Sequence, residues 1–323
     1  MAKMQPMPQE PSETPKKVKT VYRVDGSRIL SYFLVLVLLI AAVGAFALKS
    51  YIFADYQKSE VIYSGYVDKN TLESKSYVKN ILLIGQDTKT LDYDSRSDTM
   101  LLLSINTKDR DIKLVSFLRD SYMEIPGHYA NKLNAACAFG GPSLLIETLE
   151  YNYGIHIDGY VRIGFNLLAD IVDAIGGVTI PEIDETESEA LYAGYKVQLG
   201  PGYHIHLNGE NTLRYCRIRQ YQSDFSRTER QREVIMQILK NFSADDVIPL
   251  LTQGRSLIAQ IDCSFSETEL FALALQGLYC LNGDMQQQYI PAEGTWWDEI
   301  VDEQAVLQID LYENKAILQD FLY

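Results

Sequence analysis

The sequence predicts an α/β (α+β) fold, a single domain with a central mixed β-sheet flanked by helices, placed after one transmembrane helix. Three observations carry this. Short apolar runs such as "VKNILLIG", "TMLLLSIN" and "IKLVSFL" suit strands buried on both faces. Between and after them lie stretches with apolar residues at helical spacing, several closed by glycine. Near the start, "ILSYFLVLVLLIAAVGAFAL" runs through residues 29–48 without a charge.

Residues 1–28 carry prolines, lysines and polar side chains and read as a disordered cytoplasmic tail. The uncharged run at 29–48 would span about 30 Å as a helix, the thickness of a bilayer's hydrocarbon core. Lys16, Lys17, Lys19, Arg23 and Arg28 precede it, whereas Lys49 and Lys58 follow diluted by Asp55 and Glu60. That asymmetry keeps the N-terminus in the cytoplasm and puts everything after the span outside. "VGAFALKS" is a weak candidate for signal-peptide cleavage, and the reading here is a retained anchor. Residues 49–76 read as a stalk and 77–323 as the folded domain.

Within that domain, 78–85, 99–106 and 112–118 are expected strands. Segments 141–154 and 164–177 are expected helices ending at Gly154 and at the Gly176–Gly177 pair. Segment 227–242 is a third, with Val234, Ile235, Ile238 and Leu239 toward the core. Segment 266–279 is a fourth, with Ser266 as cap and Glu269 at the capping-box position. Residues 286–301 read as strand and turn. The four cysteines, Cys137, Cys216, Cys263 and Cys280, are either buried free thiols or disulfides, with Cys263 and Cys280 the nearest pair in sequence.

Polar residues gather where strands end. Asp87 follows the first strand, Arg96 and Asp98 precede the second, and Arg119 and Asp120 follow the third. Ligands favour crevices beside strand ends in open α/β sheets. Asp87 and Asp98 offer oxygen donors with no histidine or cysteine nearby, which suits a hard cation such as Mg²⁺. An isolated aspartate also commonly caps a helix or closes a turn. Segment 216–232 packs five arginines into a chain of net charge −14. Arg217 and Arg219 would share one face of a strand, and Arg227 and Gln231 one face of a helix. Arginine's planar fork suits phosphate, and a helix N-terminus near Arg227 would add positive potential. A solvated charge run is the plain alternative. There is no P-loop, HExxH, GxSxG or CxxC. His204 and His206 share a strand face without evident further zinc ligands.

Seven segments in order resemble the LytR–CpsA–Psr family of bacterial cell-wall ligases. They are "NILLIGQDT", "RSDTMLLLSIN", "LVSFLRDSYMEIPG", "NKLNAACAFGG", "DGYVRIGFNLLADIVDAIGGV", "LNGENTLRYCRIR" and "DFSRTERQR", together covering about residues 78–240. The resemblance implies an extracellular catalytic domain that is a phosphotransferase. Its donor would be a glycopolymer of teichoic acid or capsule type on a polyprenyl diphosphate. Its acceptor would be the C6 hydroxyl of N-acetylmuramic acid in peptidoglycan, joined through a phosphodiester. By the same resemblance Asp87 and Asp98 would hold Mg²⁺. Arg96, Arg119, Arg217, Arg219, Arg227 and Gln231 would bind the diphosphate, with Lys132 at a further basic position and Asp224 as the acidic residue among the arginines. Arg96, Arg119 and Asp224 would carry the catalysis. Leu118 stands where the family usually has proline, and Ser226 where glycine is common. A polyprenyl-diphosphate hydrolase and a non-catalytic wall-polymer-binding protein are the alternatives. Nucleic-acid binding is disfavoured by the side of the membrane and by the acidic charge.

Overall fold

The computed structural model describes residues 47, 49–86, 96–218, 224–241 and 252–323. The expected tail lies outside these residues, as do the expected span except for Ala47, and also Asp87 and Arg219. Among the described residues no helix is long and apolar enough to cross a membrane. The chain divides after Ser50, and Tyr51–Tyr323 form one compact unit.

Its centre is a mixed sheet. Strand β1 (Val78–Gln86) pairs antiparallel with β2 (Thr99–Asn106), Leu82 opposite Leu102. Strand β3 (Asp111–Phe117) returns antiparallel beside β2. The turn between them is local chemistry: Asn106 Oδ1 accepts from the Lys108 and Asp109 N–H groups at 3.0 and 3.1 Å, and Arg110 takes φ 60°. A small ladder of β4 (Tyr122–Met123) and β5 (Asn131–Lys132) leads into helix α1 (Leu133–Tyr153). Strand β6 (Gly159–Gly164) then lies parallel to β1.

Next come α2 (Phe165–Ala174), β7 (Val178–Ile183), α3 (Glu185–Tyr195), β8 (Gly202–Leu207), α4 (Gly209–Cys216) and α5 (Asp224–Asn241). The chain closes with β9 (Asp262–Cys263), α6 (Glu267–Cys280), β10 (Met285–Ile290), the β11–β12 hairpin (Trp296–Val301, Gln304–Ile309) and α7 (Leu311–Leu322). The six-stranded order is β10-β3-β2-β1-β6-β9.

Apolar residues on both faces of β1 to β3 explain the layers. Leu82, Ile84, Leu102 and Phe117 meet Leu145 and Leu149 of α1 and Leu318 and Leu322 of α7. On the other face Leu101 and Leu114 pack on Met236 of α5, and Ile81, Ile105 and Ile112 pack with Phe265 and Cys280. A separate cluster, including Val178, Ile180, Leu191, Leu207 and Val234, fills a lobe built by β7, β8 and the helices around them.

The expected helices form, with changed limits. Helix α1 starts at Leu133, not at 141, and is interrupted at Gly140 and Gly141. Gly154 ends it in the left-handed region at φ 63°. Ser266 and Glu269 make the expected capping box on α6.

One expectation is corrected and one open alternative is resolved. Residues 51–76 do not stand off as a stalk. Glu147 and Glu150 of α1 are 1% and 0% exposed, and buried carboxylates need partners. Glu147 accepts from the Ser64 and Gly65 N–H groups, each at 3.2 Å, and Lys69 pairs with Glu150. The segment is thereby bound along the domain. The four cysteines are buried free thiols, so Cys263 and Cys280 are not paired. Both serve as small apolar side chains in the cluster around Ile105 and Ile112.

Candidate active site

Strands β1, β3 and β6 run the same way and β2 runs against them. Their C-terminal ends and the start of β2 therefore share one edge of the sheet. The sequence puts Asp98, Arg119, Asp120 and Phe165 at that edge. The first turn of α5 brings Asp224 and Arg227 to the same place, and Lys132 stands at the start of α1.

Arg119 is the hub. Its Nη1 donates to Asp98 Oδ1 at 3.0 Å and its Nη2 to Asp224 Oδ1 at 3.1 Å. Its Nε also lies 3.5 Å from Asp120 Oδ2. Asp120 accepts from Lys132 Nζ at 2.7 Å, and Asp224 accepts from Arg227 Nη2 at 3.0 Å. Burial works against the Arg119 charge, but Asp224, Asp120 and Asp98 outweigh it and raise its pKa above the usual arginine value. The guanidinium is thus permanently charged and fixed in direction.

A cavity of about 430 Å³ opens beside this network, lined among others by Asp98, Phe165, Tyr195, Arg217, Arg227 and Gln231. Arg227 and Gln231 point into it together, as four-residue helical spacing requires. Thr99 Oγ1 donates to Gln231 Oε1 at 2.9 Å, which orients the amide. The Arg217 guanidinium lies over the Phe165 ring, 4.9 Å from its centre. Tyr195 Oη donates to the Arg217 carbonyl at 3.2 Å, so α3 holds the segment from the far side. A smaller apolar cavity of about 90 Å³ adjoins the first and shares Phe165, Cys216 and Gln231 with it. Its other walls include Leu83, Leu101, Ile163 and Ile235.

The site chemistry is that of an anion receptor with an apolar annex. Arg119, Lys132 and Arg227 pair with three carboxylates, Asp98, Asp120 and Asp224, and Arg217 lines the same cavity as Asp98 and Arg227. The forked donors suit phosphate oxygens, and the annex suits hydrocarbon.

Seven sequence-predicted residues come together here: Asp98, Arg119, Lys132, Arg217, Asp224, Arg227 and Gln231. Arg96 is exposed and does not line the cavity. Asp87 and Arg219 lie outside the described residues. The strand expected for Arg217 is not there. Arg217 is the C-cap of α4, its N–H directed at the Arg214 and Tyr215 carbonyls, so strand alternation does not place it. The arginine segment is also not one binding surface. Arg230 donates to the Tyr215 and Ile218 carbonyls at 3.2 and 2.7 Å and faces Glu187. Arg232 donates to Gln287 Oε1 and Ser116 Oγ at 3.2 and 3.0 Å. Both are internal fasteners. Sequence reasoning missed Phe165 and Tyr195 as site walls, and left Asp120 as no more than a loop candidate. Phe165 follows a strand end directly, which is the signal that was available.

His206 Nε2 is 3.1 Å from the Gly176 carbonyl and its Nδ1 is 3.4 Å from Thr179 Oγ1. Among the described residues no group of three or more His, Cys, Asp or Glu is placed to hold a metal ion. Asp98, at the lip of the cavity, presents carboxylate oxygens of the kind a hard cation takes.

Comparison with known proteins follows the same line. A sequence model of the LytR_cpsA_psr family matches residues 48–320. Polyisoprenyl-teichoic acid–peptidoglycan teichoic acid transferase TagU of Enterococcus faecalis is 33% identical over 243 residues, 71% of this chain and 77% of its own. The TagU of Bacillus mycoides is 31% identical over 240 residues, 70% of this chain and 74% of its own. The structure of TagT bound to LIIa-WTA superposes with a TM-score of 0.64 at 25% identity, covering 81% of this chain and 99% of that one. The fold, the edge-of-sheet arginine site and these likenesses agree: the chain belongs to the LytR–CpsA–Psr family.

Proposed function

We propose that the protein is a phosphotransferase. It takes an anionic glycopolymer from a polyprenyl diphosphate and attaches it to the C6 hydroxyl of N-acetylmuramic acid in peptidoglycan. The observation that carries this reading is the junction of two cavities. Arg217 and Arg227 line the larger one, and it shares Phe165, Cys216 and Gln231 with a neighbour walled by aliphatic side chains. A diphosphate joined to a prenyl chain needs that sequence of surroundings. The E. faecalis and B. mycoides relatives, named as transferases of polyisoprenyl-linked teichoic acid to peptidoglycan, support the same substrates.

In the reaction the acceptor hydroxyl oxygen bonds to the glycan-side phosphorus. The bond from that phosphorus to the bridging oxygen breaks, polyprenyl phosphate leaves, and the hydroxyl proton is released. Negative charge grows on the bridging oxygen. Arg217 and Arg227 supply donors toward it from fixed positions, so little reorganisation is needed as the charge develops. Arg119 and Asp224 hold one another and Arg227 in register. Asp98, with Asp87, would hold a Mg²⁺ ion, whose charge would neutralise the diphosphate. Anchorage by residues 29–48, with the site on the outer face of the membrane, would put the enzyme where both substrates are found.

The test is to incubate the protein with a lipid-diphosphate glycan, peptidoglycan and Mg²⁺, then digest the wall and weigh the fragments. A muramic acid phosphodiester adduct is expected. Release of polyprenyl phosphate without adduct would make the protein a hydrolase, and no release at all would make it a binder.

A further inference from the structure

Helix α6 presents an apolar face to the outside. Phe271, Leu275, Leu278 and Tyr279 are 47%, 51%, 46% and 51% exposed. They fall at i, i+4, i+7 and i+8, one continuous stripe, with Ala272 and Ala274 exposed beside it. The opposite face is the packed one: Leu270, Leu273 and Cys280 meet Ile105 and Ile112. Single exposed apolar residues are ordinary, whereas a stripe over two turns of one helix, about 12 Å from Phe271 to Tyr279, marks a contact surface.

The chain's own course says what covers it. Residues 56–59 run beside the start of α6. Tyr56 Oη donates to the Phe265 carbonyl, Ser59 N–H donates to the Cys263 carbonyl at 2.8 Å, and Lys58 Nζ lies 3.9 Å from Glu269. In sequence, Lys58 is ten residues after the end of the uncharged run 29–48. Ten residues reach at most about 35 Å when fully extended, and 49–52 are helical and shorter still. At most about 35 Å of chain therefore links Lys58 to the end of that run. The ends of the stripe carry cations. Lys58 stands at one end, and at the other the Arg110 guanidinium lies 4.3 Å from the Tyr279 ring centre. Long basic side chains beside an apolar face can reach lipid phosphates while their stems stay in hydrocarbon. Leu83, which lines the apolar cavity, also packs in the cluster beneath α6.

We propose that the outward stripe of α6 lies on the outer surface of the bilayer that holds residues 29–48. The proposal rests on the anchored, lipid-using reading above.

It is tested on the full chain reconstituted in phosphatidylglycerol–phosphatidylethanolamine vesicles. The four native thiols are buried, so Leu275→Cys can be labelled with a polarity-sensitive dye, and Tyr192→Cys, at a site 53% exposed on α3, serves as reference. Vesicle flotation is measured first, then quenching by lipids with nitroxides at headgroup depth. The expected result is a floating protein with quenching at 275 several-fold stronger than at 192. A floating protein with equal quenching at both sites overturns the docking face and leaves the transferase reading intact. So does 275-to-275 crosslinking between copies without quenching, because the occupant is then a second copy. A chain that does not float removes the anchor and the docking face together, while the adduct assay still judges the chemistry. As a second measurement, Phe271→Glu with Leu275→Glu should slow transfer from vesicle-borne donor several-fold and leave transfer from a detergent-soluble short-chain donor unchanged. Equal slowing with both donors would overturn the proposal.

Discussion

Arg227 and Arg230 sit three residues apart on α5 and have different tasks. Arg227 lines the polar cavity, and its partner Asp224 is also held by Arg119. Arg230 faces inward, closing onto two carbonyls of the 215–218 segment and onto Glu187. Arg227→Ala removes a fixed donor from the site but leaves Asp224 paired. Adduct formation should fall by about 10²–10³-fold, the usual effect of losing one preorganised transition-state donor. The thermal midpoint should move little. Arg230→Ala removes the buried cation that faces Glu187, which keeps only the Asp184 N–H and the Tyr215 hydroxyl, and takes the side-chain donor from the Ile218 carbonyl. It should cost on the order of 3 kcal/mol, the scale of a broken buried pair. Chemical denaturation and the adduct assay, run on both variants, separate the two tasks. If Arg230→Ala kept full stability and lost only transfer, the assignment of Arg230 as a fastener would be wrong. Sequence shows that both residues are arginines but not which way each faces, since a helix of charged and apolar residues leaves the inner face open until its neighbours are known.

Helix α1 shows the same limit at the scale of an element. Its second half was legible, because apolar spacing from Leu144 to Leu149 and the closing Gly154 are local signals. The first half was not. "LNAACAFGG" reads as broken by its glycines, and the structure does break there, with Gly141 at φ 66° and ψ −164°, yet helix resumes on both sides. That break lets the front of α1 turn toward the site, carrying Lys132 at its start and Cys137 beside Gln86. Side chains other than hydrogen are strongly disfavoured at such dihedrals. Gly141→Ala should therefore cost about 1–3 kcal/mol. Urea unfolding measures it, and an unchanged midpoint would mean the break is not needed. The strands were read correctly for a physical reason: runs apolar on both faces suit only a covered sheet. The two-residue ladder β4–β5 and strand β7 escaped notice, and β8 was read only through His204 and His206, because short pairings are fixed by contacts far away in sequence. The site edge was legible for the opposite reason: β1, β2 and β3 each place a charged residue just beyond an apolar run.

At the scale of the whole molecule, the buried thiols tie stability to pH. Cys137 and Cys216 are 0% and 3% exposed. Burial pushes the Cys137 thiol up to about 11 and the Cys216 thiol up to about 12, from 9.0 in the open chain. Tyr63 and Tyr323 are raised by burial in the same sense, to about 12 each. The sign follows from the shift. A group whose folded pKa lies above its unfolded one keeps its proton more firmly in the native state. Its contribution is complete below pH 9 and fades as pH climbs toward the folded value. At pH 10 an unfolded thiol is mostly ionised, whereas the two buried ones are still protonated. Each therefore costs about 1.4 kcal/mol, near 3 kcal/mol for the pair. Urea midpoints at pH 8 and pH 10 should differ accordingly, the alkaline one lower, with the tyrosines adding to the fall above that. Cys137→Ala with Cys216→Ala should make the fall between pH 8 and pH 10 shallower whatever it does to absolute stability, with Cys263 and Cys280, also raised by burial, keeping part of it. A wild-type chain equally stable at both pH values would show that these sulfurs are open to water, and the packing derived around Gln86 and Arg230 would have to be redrawn.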